Sequence, residues 1–190
     1  VAPTGSFSTV IAPTSGTPAD VLFNGKADMA RAVNGSAGIT GTVSFAGMNP
    51  TGVYRVVLFG NRGMPPTDAN YTGRTTRITM VGADSFVNAS SPGAVISGAG
   101  GETTTIVTGT NTSGQIFDYT NVLAGGDGQV ILTVAGDAFS WYLNTMLVEL
   151  LRYTSSSSMP ATVLFTNGAS WKYHSTGALP ASDWSSRTYN

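Results

Sequence analysis

The sequence predicts an all-β chain: a jelly-roll β-sandwich of two antiparallel sheets, with an extended N-terminal arm and a C-terminal extension. Three observations point there. Short alternating apolar runs recur from residue 38 onward, separated by turns rich in Gly, Pro and Asn. One run, 53–62 (VYRVVLFGNR), is apolar on both faces of an extended reading, with Val53, Val57 and Phe59 on one and Tyr54, Val56 and Leu58 on the other. Such a strand belongs in the middle of a sheet covered on both sides. Finally, 24 Gly and a charged fraction of only 10% indicate many tight turns and strand faces coated with hydroxyls in place of charges.

At 190 residues the chain suffices for one sandwich domain with a proper core and a further piece at one end. The net charge of -1 argues against nucleic acid, whose phosphates demand a basic face. Without Cys there is neither a disulfide framework nor a thiolate metal site. No run reaches the length of a membrane-spanning helix, and 1–10 (VAPTGSFSTV) lacks the basic start and apolar core of a signal peptide. The chain begins without Met, so it is expected to be processed or to be a segment of something longer.

Residues 1–19, with Pro3, Pro13 and Pro18 among Ser, Thr and Gly, read as an extended arm that wraps a neighbour or leads in from an earlier domain. The sandwich is placed at 20–153. It opens on a short strand at 20–23, ended by Asn24-Gly25, and 26–37 reads as a loop. In 39–47 (ITGTVSFAG), Ile39, Gly41, Val43 and Phe45 oppose Thr40, Thr42 and Ser44, the pattern of a half-exposed strand. In the turn at 48–52, Pro50 supplies a fixed φ and Gly52 relief from steric limits. After the central strand and a loop at 63–73, 74–82 (RTTRITMVG) alternates again, and shorter strands are expected at 85–88, 94–97, 103–108 and 115–119. Asp127-Gly128 signals a turn before another alternating strand, 129–136 (QVILTVAG).

The stretch 138–153 (AFSWYLNTMLVELLRY) is ambiguous. Phe139, Tyr142, Leu143, Met146, Leu147 and Leu150 fit helical spacing. An extended reading puts Trp141, Leu143, Leu147 and Leu151 on one face and Tyr142, Met146, Val148 and Leu150 on the other. The all-β context selects a long buried strand. Residues 154–160 read as a Ser-rich linker, and 161–190 as a C-terminal extension or the start of a second, truncated module.

Three pieces in order resemble a β-sandwich module of the galactose-binding-like or carbohydrate-binding-module type, found in bacterial secreted proteins and phage appendages. They are 54–62 (YRVVLFGNR), 73–82 (GRTTRITMVG) and 126–150, where GDGQVILTV is followed by WYLNTMLVEL. Asn111-Thr112-Ser113 is similar to that module's Asn-Thr-Ser-Asn turn. Asn61 stands where the module has Ser, Thr145 where it has Ala, and the opening strand does not match. The stretch 167–184 (NGASWKYHSTGALPASDW) resembles the opening of a second such module, which normally continues well beyond this point.

The resemblance implies that Arg62 and Arg74 lie near one sheet end with Asn61, Asn111 and Asn144. Guanidinium and amide groups there form paired hydrogen bonds to sugar hydroxyls or carboxylates. The structural alternative is that Arg62 ties a loop to a backbone carbonyl or a carboxylate. Tyr71, Tyr119, Trp141 and Tyr142 are aromatic candidates for stacking on a pyranose. Core packing is the expected fate of Trp141 and Tyr142, whereas Tyr71 sits in a loop. The ligand-binding set is therefore Asn61, Arg62, Tyr71, Arg74, Asn111 and Asn144. No catalytic set stands out: His174 is the lone histidine, with no Ser or Cys motif around it, and the scattered acids nominate no pair. No cofactor is expected; structural calcium through Asp118, Asp127 and carbonyls is conceivable, without a dense Asp/Asn loop to support it.

The hydroxyl-rich surface and the resemblance together imply a non-catalytic module on a virion surface or in the extracellular space. It would be a capsid decoration, fibre or tail appendage of a phage, docking to neighbouring virion subunits or to copies of itself as a homotrimer, and adhering to a host glycan. The alternative is an accessory carbohydrate-binding module of a secreted bacterial multi-domain protein or hydrolase. Neither reading involves nucleic acid or a membrane.

Overall fold

Alternation of apolar and hydroxyl side chains at a period of two makes a strand of nearly every regular stretch. In a computed structural model of the chain, which describes residues 5–8 and 11–154, the elements run β1 (Gly5–Ser8), α1 (Pro18–Phe23), β2 (Arg31–Gly35), β3 (Gly41–Phe45), β4 (Gly52–Phe59), β5 (Thr75–Met80), β6 (Ser85–Asn88), β7 (Val95–Ser97), β8 (Thr103–Val107), β9 (Phe117–Leu123), β10 (Val130–Ala135), β11 (Trp141–Leu143) and β12 (Thr145–Tyr153). The chain divides into two units, Val1–Ser155 and Ser156–Asn190. The second unit, with the expected C-terminal extension and His174, lies outside the described residues.

All strand pairs are antiparallel, and the all-β expectation holds. Among the described residues there are three sheets where two were expected: β3-β10-β5-β8-β7, β12-β4-β9-β6, and a small one of β1-β2-β11. The five- and four-stranded sheets face each other across the main core. Tyr54, Val56 and Leu58 of β4, with Phe117, Tyr119 and Val122 of β9, meet Ile78 and Met80 of β5 and Leu132 and Val134 of β10. In β9, Asn121 takes a positive φ of 52° where the register over β4 shifts between Tyr54 and Val56, a bulge that Asn tolerates better than most residues.

β4 is the central strand that its pattern predicts, buried at every position except Arg55. Its second cover, however, is a helix. Ala19 and Phe23 of α1 pack with Val57, Phe59 and Ile116 on the far side of the sheet. The strand expected at 20–23 is thus a helical turn, because Pro18 opens it and Asp20 accepts from Gly16 N–H and from the Asn24 side chain, both at 2.8 Å. Part of the expected loop at 26–37 is β2, the middle strand of the small sheet. Described parts of the N-terminal arm dock on their own chain: β1 pairs with β2, Ile11 N–H donates to Gly63 O at 2.8 Å, and Thr14 N–H donates to Thr112 O at 2.8 Å.

The stretch 138–153 is extended, as selected, but broken at Asn144 into β11 and β12, which belong to different sheets. Only β11 is buried. β12 is an edge strand exposed along most of its length. At the turn before β4, Gly52 is required for a reason other than φ: a Cβ there would run into the Tyr54 ring, whose hydroxyl accepts from Asn49 N–H at 2.8 Å.

Tyr119 spans the main core, its hydroxyl 3.2 Å from both Ile78 O and Thr104 Oγ1. Burial pushes its pKa up to about 12. The folded chain therefore holds this proton where an unfolded tyrosine, titrating near ~10, releases it. This contribution is intact below pH ~10 and is lost as pH rises towards ~12; urea melts over that window should show stability falling by about 2–3 kcal/mol. Tyr119→Phe should remove that part of the pH dependence.

Candidate functional site

Where β4 leaves the sheet, its chain end is still inside the protein, so every backbone group there needs a partner. Three asparagines provide them. Asn144 Oδ1 accepts from Asn61 N–H at 2.6 Å, while its amide donates to Met29 O at 2.9 Å. Asn61 is fully buried; its amide donates to Ile11 O at 3.0 Å and its carbonyl accepts from Gly63 N–H at 2.8 Å. Asn111, also buried, donates to Gly60 O at 3.0 Å and Gln115 O at 2.8 Å and accepts from Gln115 N–H at 2.9 Å. Gly60 fits only as glycine, since a Cβ would collide with the Tyr142 carbonyl. These three predicted site residues thus bracket the backbone from below the loop.

The other three predicted residues come together at the surface. Arg62 is anchored through its backbone, its N–H donating to Thr108 O at 2.7 Å. From there its guanidinium carbon lies 5.9 Å from the centroid of the Tyr71 ring. The guanidinium carbon of Arg74 sits 4.2 Å from the same centroid and 5.5 Å from that of Phe139. Arg74 Nε donates to Asn70 O at 2.9 Å, and Nη1 to the Tyr142 hydroxyl at 2.8 Å. Arg74 thereby packs near two rings and is held at two donors, with others of its five N–H groups making no bond among the described residues. Beside it, Asp137 pairs with Arg77 at 2.7 Å and accepts from Thr75 Oγ1 at 2.8 Å, fastening the turn that carries Phe139.

Phe139 was missed as a site residue. It falls in the ambiguous 138–153 stretch, although Gly136-Asp137 before it has the composition of a turn and signals a loop position. Of the other aromatic candidates, Tyr119, Trp141 and Tyr142 are buried, and the Trp141 indole donates to Ile39 O at 2.8 Å. Of the acids considered for calcium, Asp118 forms a two-pronged pair with Arg55 at 2.7 and 3.0 Å, which raises the Arg55 pKa, and Asp127 accepts from Gln129 N–H at 3.0 Å. Among the described residues there is no group of three or more His, Cys, Asp or Glu arranged to hold a metal, and every buried side-chain N and O has a partner.

The chain matches no protein-family model, no curated protein and no solved structure. Nothing in these comparisons identifies a galactose-binding-like module.

The bracket has a measurable weight. Asn144→Ala removes an acceptor from a buried N–H and a donor from a carbonyl, and should lower stability by about 2–3 kcal/mol in chemical denaturation.

Proposed function

We propose that the chain is a non-catalytic docking and recognition module displayed on an outer surface, as part of a phage virion. In this reading the rim formed by Arg62, Tyr71, Arg74 and Phe139 grips an acidic sugar of a host glycan. The observation that carries it is the fixing of Arg74 by two hydrogen bonds beside the Tyr71 and Phe139 rings. A guanidinium pairs with a carboxylate through parallel N–H bonds, and one already held by two hydrogen bonds beside aromatic rings loses little freedom on doing so. Arg62 at the same ring adds positive charge, which favours an anion at this rim, while the exposed Phe139 edge offers an apolar face for a pyranose.

The fold is read in the same spirit as a jelly-roll variant. Supporting this, successive strands from β3 to β6 alternate between the two facing sheets, as do β8, β9 and β10. The virion setting draws on the hydroxyl-rich, weakly charged composition and on the three resembling segments.

A glycan array followed by titration with the best acidic saccharide tests the rim. Arg74→Ala should weaken binding at least about tenfold, or about 1.4 kcal/mol, and Arg74→Lys, which keeps the charge but not the planar fork, should weaken it nearly as much. Tyr71→Ala should follow them, with all three variants still folded by circular dichroism. Binding that survives Arg74→Ala, or an array with no acidic glycan bound, would contradict the assignment.

A further inference from the structure

β12 lies at the edge of its sheet and, among the described residues, pairs with β4 alone. Backbone N–H and C=O groups along its outer side are therefore a template for one more strand. Edge strands are usually kept from pairing by shortness, Pro, charge or a β-bulge; β12 runs for nine residues without Pro, and its register shift and two charges fall together at 149–152. It is apolar as well: Met146 and Leu150 are each 44% exposed and Tyr153 55%. A groove flanks it on either face, one of about 260 Å³ between Met146 and Val43, the other of about 580 Å³ between Leu147 and Leu22 of α1.

The register over β4 assigns its faces. Glu149 lies opposite Arg55 and Arg152 opposite Val53; those partners are two residues apart on β4, so Glu149 and Arg152 share a face. Val148, opposite Val56, and Tyr153, opposite Gly52, share the other. The register shift between Leu150 and Arg152, which leaves Leu151 as an extra residue, makes this possible for charges three positions apart.

We propose that β12 pairs antiparallel with β12 of a second copy, about a twofold axis between Leu150 and Leu151, joining two sheets into one. In this register Glu149 faces Arg152 of the partner subunit, and the pair repeats on the other side of the axis. Val148 faces Tyr153 of the partner subunit on the opposite surface. Registers centred on Glu149 or on Arg152 set like charges directly against each other, which is destabilising. A twofold contact needs a self-complementary patch, and opposite charges equidistant from one axis supply it. The product is a dimer in place of the trimer expected from the sequence. The contact uses none of Arg62, Tyr71, Arg74 or Phe139, so its outcome is independent of glycan binding.

Sedimentation velocity on the full chain over a concentration series tests the pairing. Wild type should reach a dimer. Arg152→Glu or Glu149→Arg should weaken it by about tenfold, since both symmetric pairs turn repulsive. Glu149→Arg/Arg152→Glu should restore it, with melts showing each variant folded. A monomer at every concentration, a trimer, or a double variant as weak as the singles would overturn the proposal. So would a monomer whose β12 amides are slow to exchange, the sign of an edge already covered.

Discussion

β4 is covered on both faces, with only Arg55 reaching part-way to solvent. The facing sheet covers Tyr54, Val56 and Leu58, and α1 covers Val57 and Phe59. A strand so enclosed cannot leave its backbone groups to solvent where it ends, and an unpaired buried amide costs more than a made one contributes. The arrangement of Asn61, Asn111 and Asn144 around Gly60 follows from that constraint. Each amide side chain carries a donor and an acceptor on one carbon, which suits it to backbone groups arriving from different segments.

This bracket draws distant parts of the chain to one place. Ile11, Met29, Phe59 and Gln115 are each held there by an asparagine or its backbone N–H. A second buried node reinforces it, where Thr76 and Thr108 hydroxyls lie 2.7 Å apart and Thr76 Oγ1 accepts from Tyr142 N–H at 2.9 Å. The 61–74 loop is therefore fixed at its base, and Met64 N–H, bonded to Gly109 O at 3.2 Å, extends the hold into the loop. A rim built on such a base presents Arg62, Tyr71 and Arg74 with little freedom to lose, the property a recognition surface needs.

Much of the architecture was legible in the sequence, because period-two patterning survives in β3, β5 and β10 and turn chemistry marks their ends. The two-faced run at β4 told of cover on both sides but not of what supplied it. That cover, α1, hid in Thr17-Pro18-Ala19-Asp20: a helix-start signal was present, but the helix is six residues long, too short for periodicity to register. The sequence of β12 has apolar side chains on both faces and so resembles a core strand; its exposure follows from its place at the edge of the sheet, which no local pattern encodes. The candidate site divided along a similar line. The loop position of Tyr71 was readable, and the resemblance implied a shared sheet end for the two arginines, whereas amide groups look the same in a chain whether they await a sugar or hold a backbone.

Native-state hydrogen exchange is the most direct measure of whether β4 and its bracket anchor the domain. The amides of Val56, Val57 and Leu58 should exchange only through global unfolding, with an opening free energy equal to that from denaturant melts, while those of the exposed β7 open locally. If the β4 amides exchange faster than those of β10, the strand is not the element on which the rest depends.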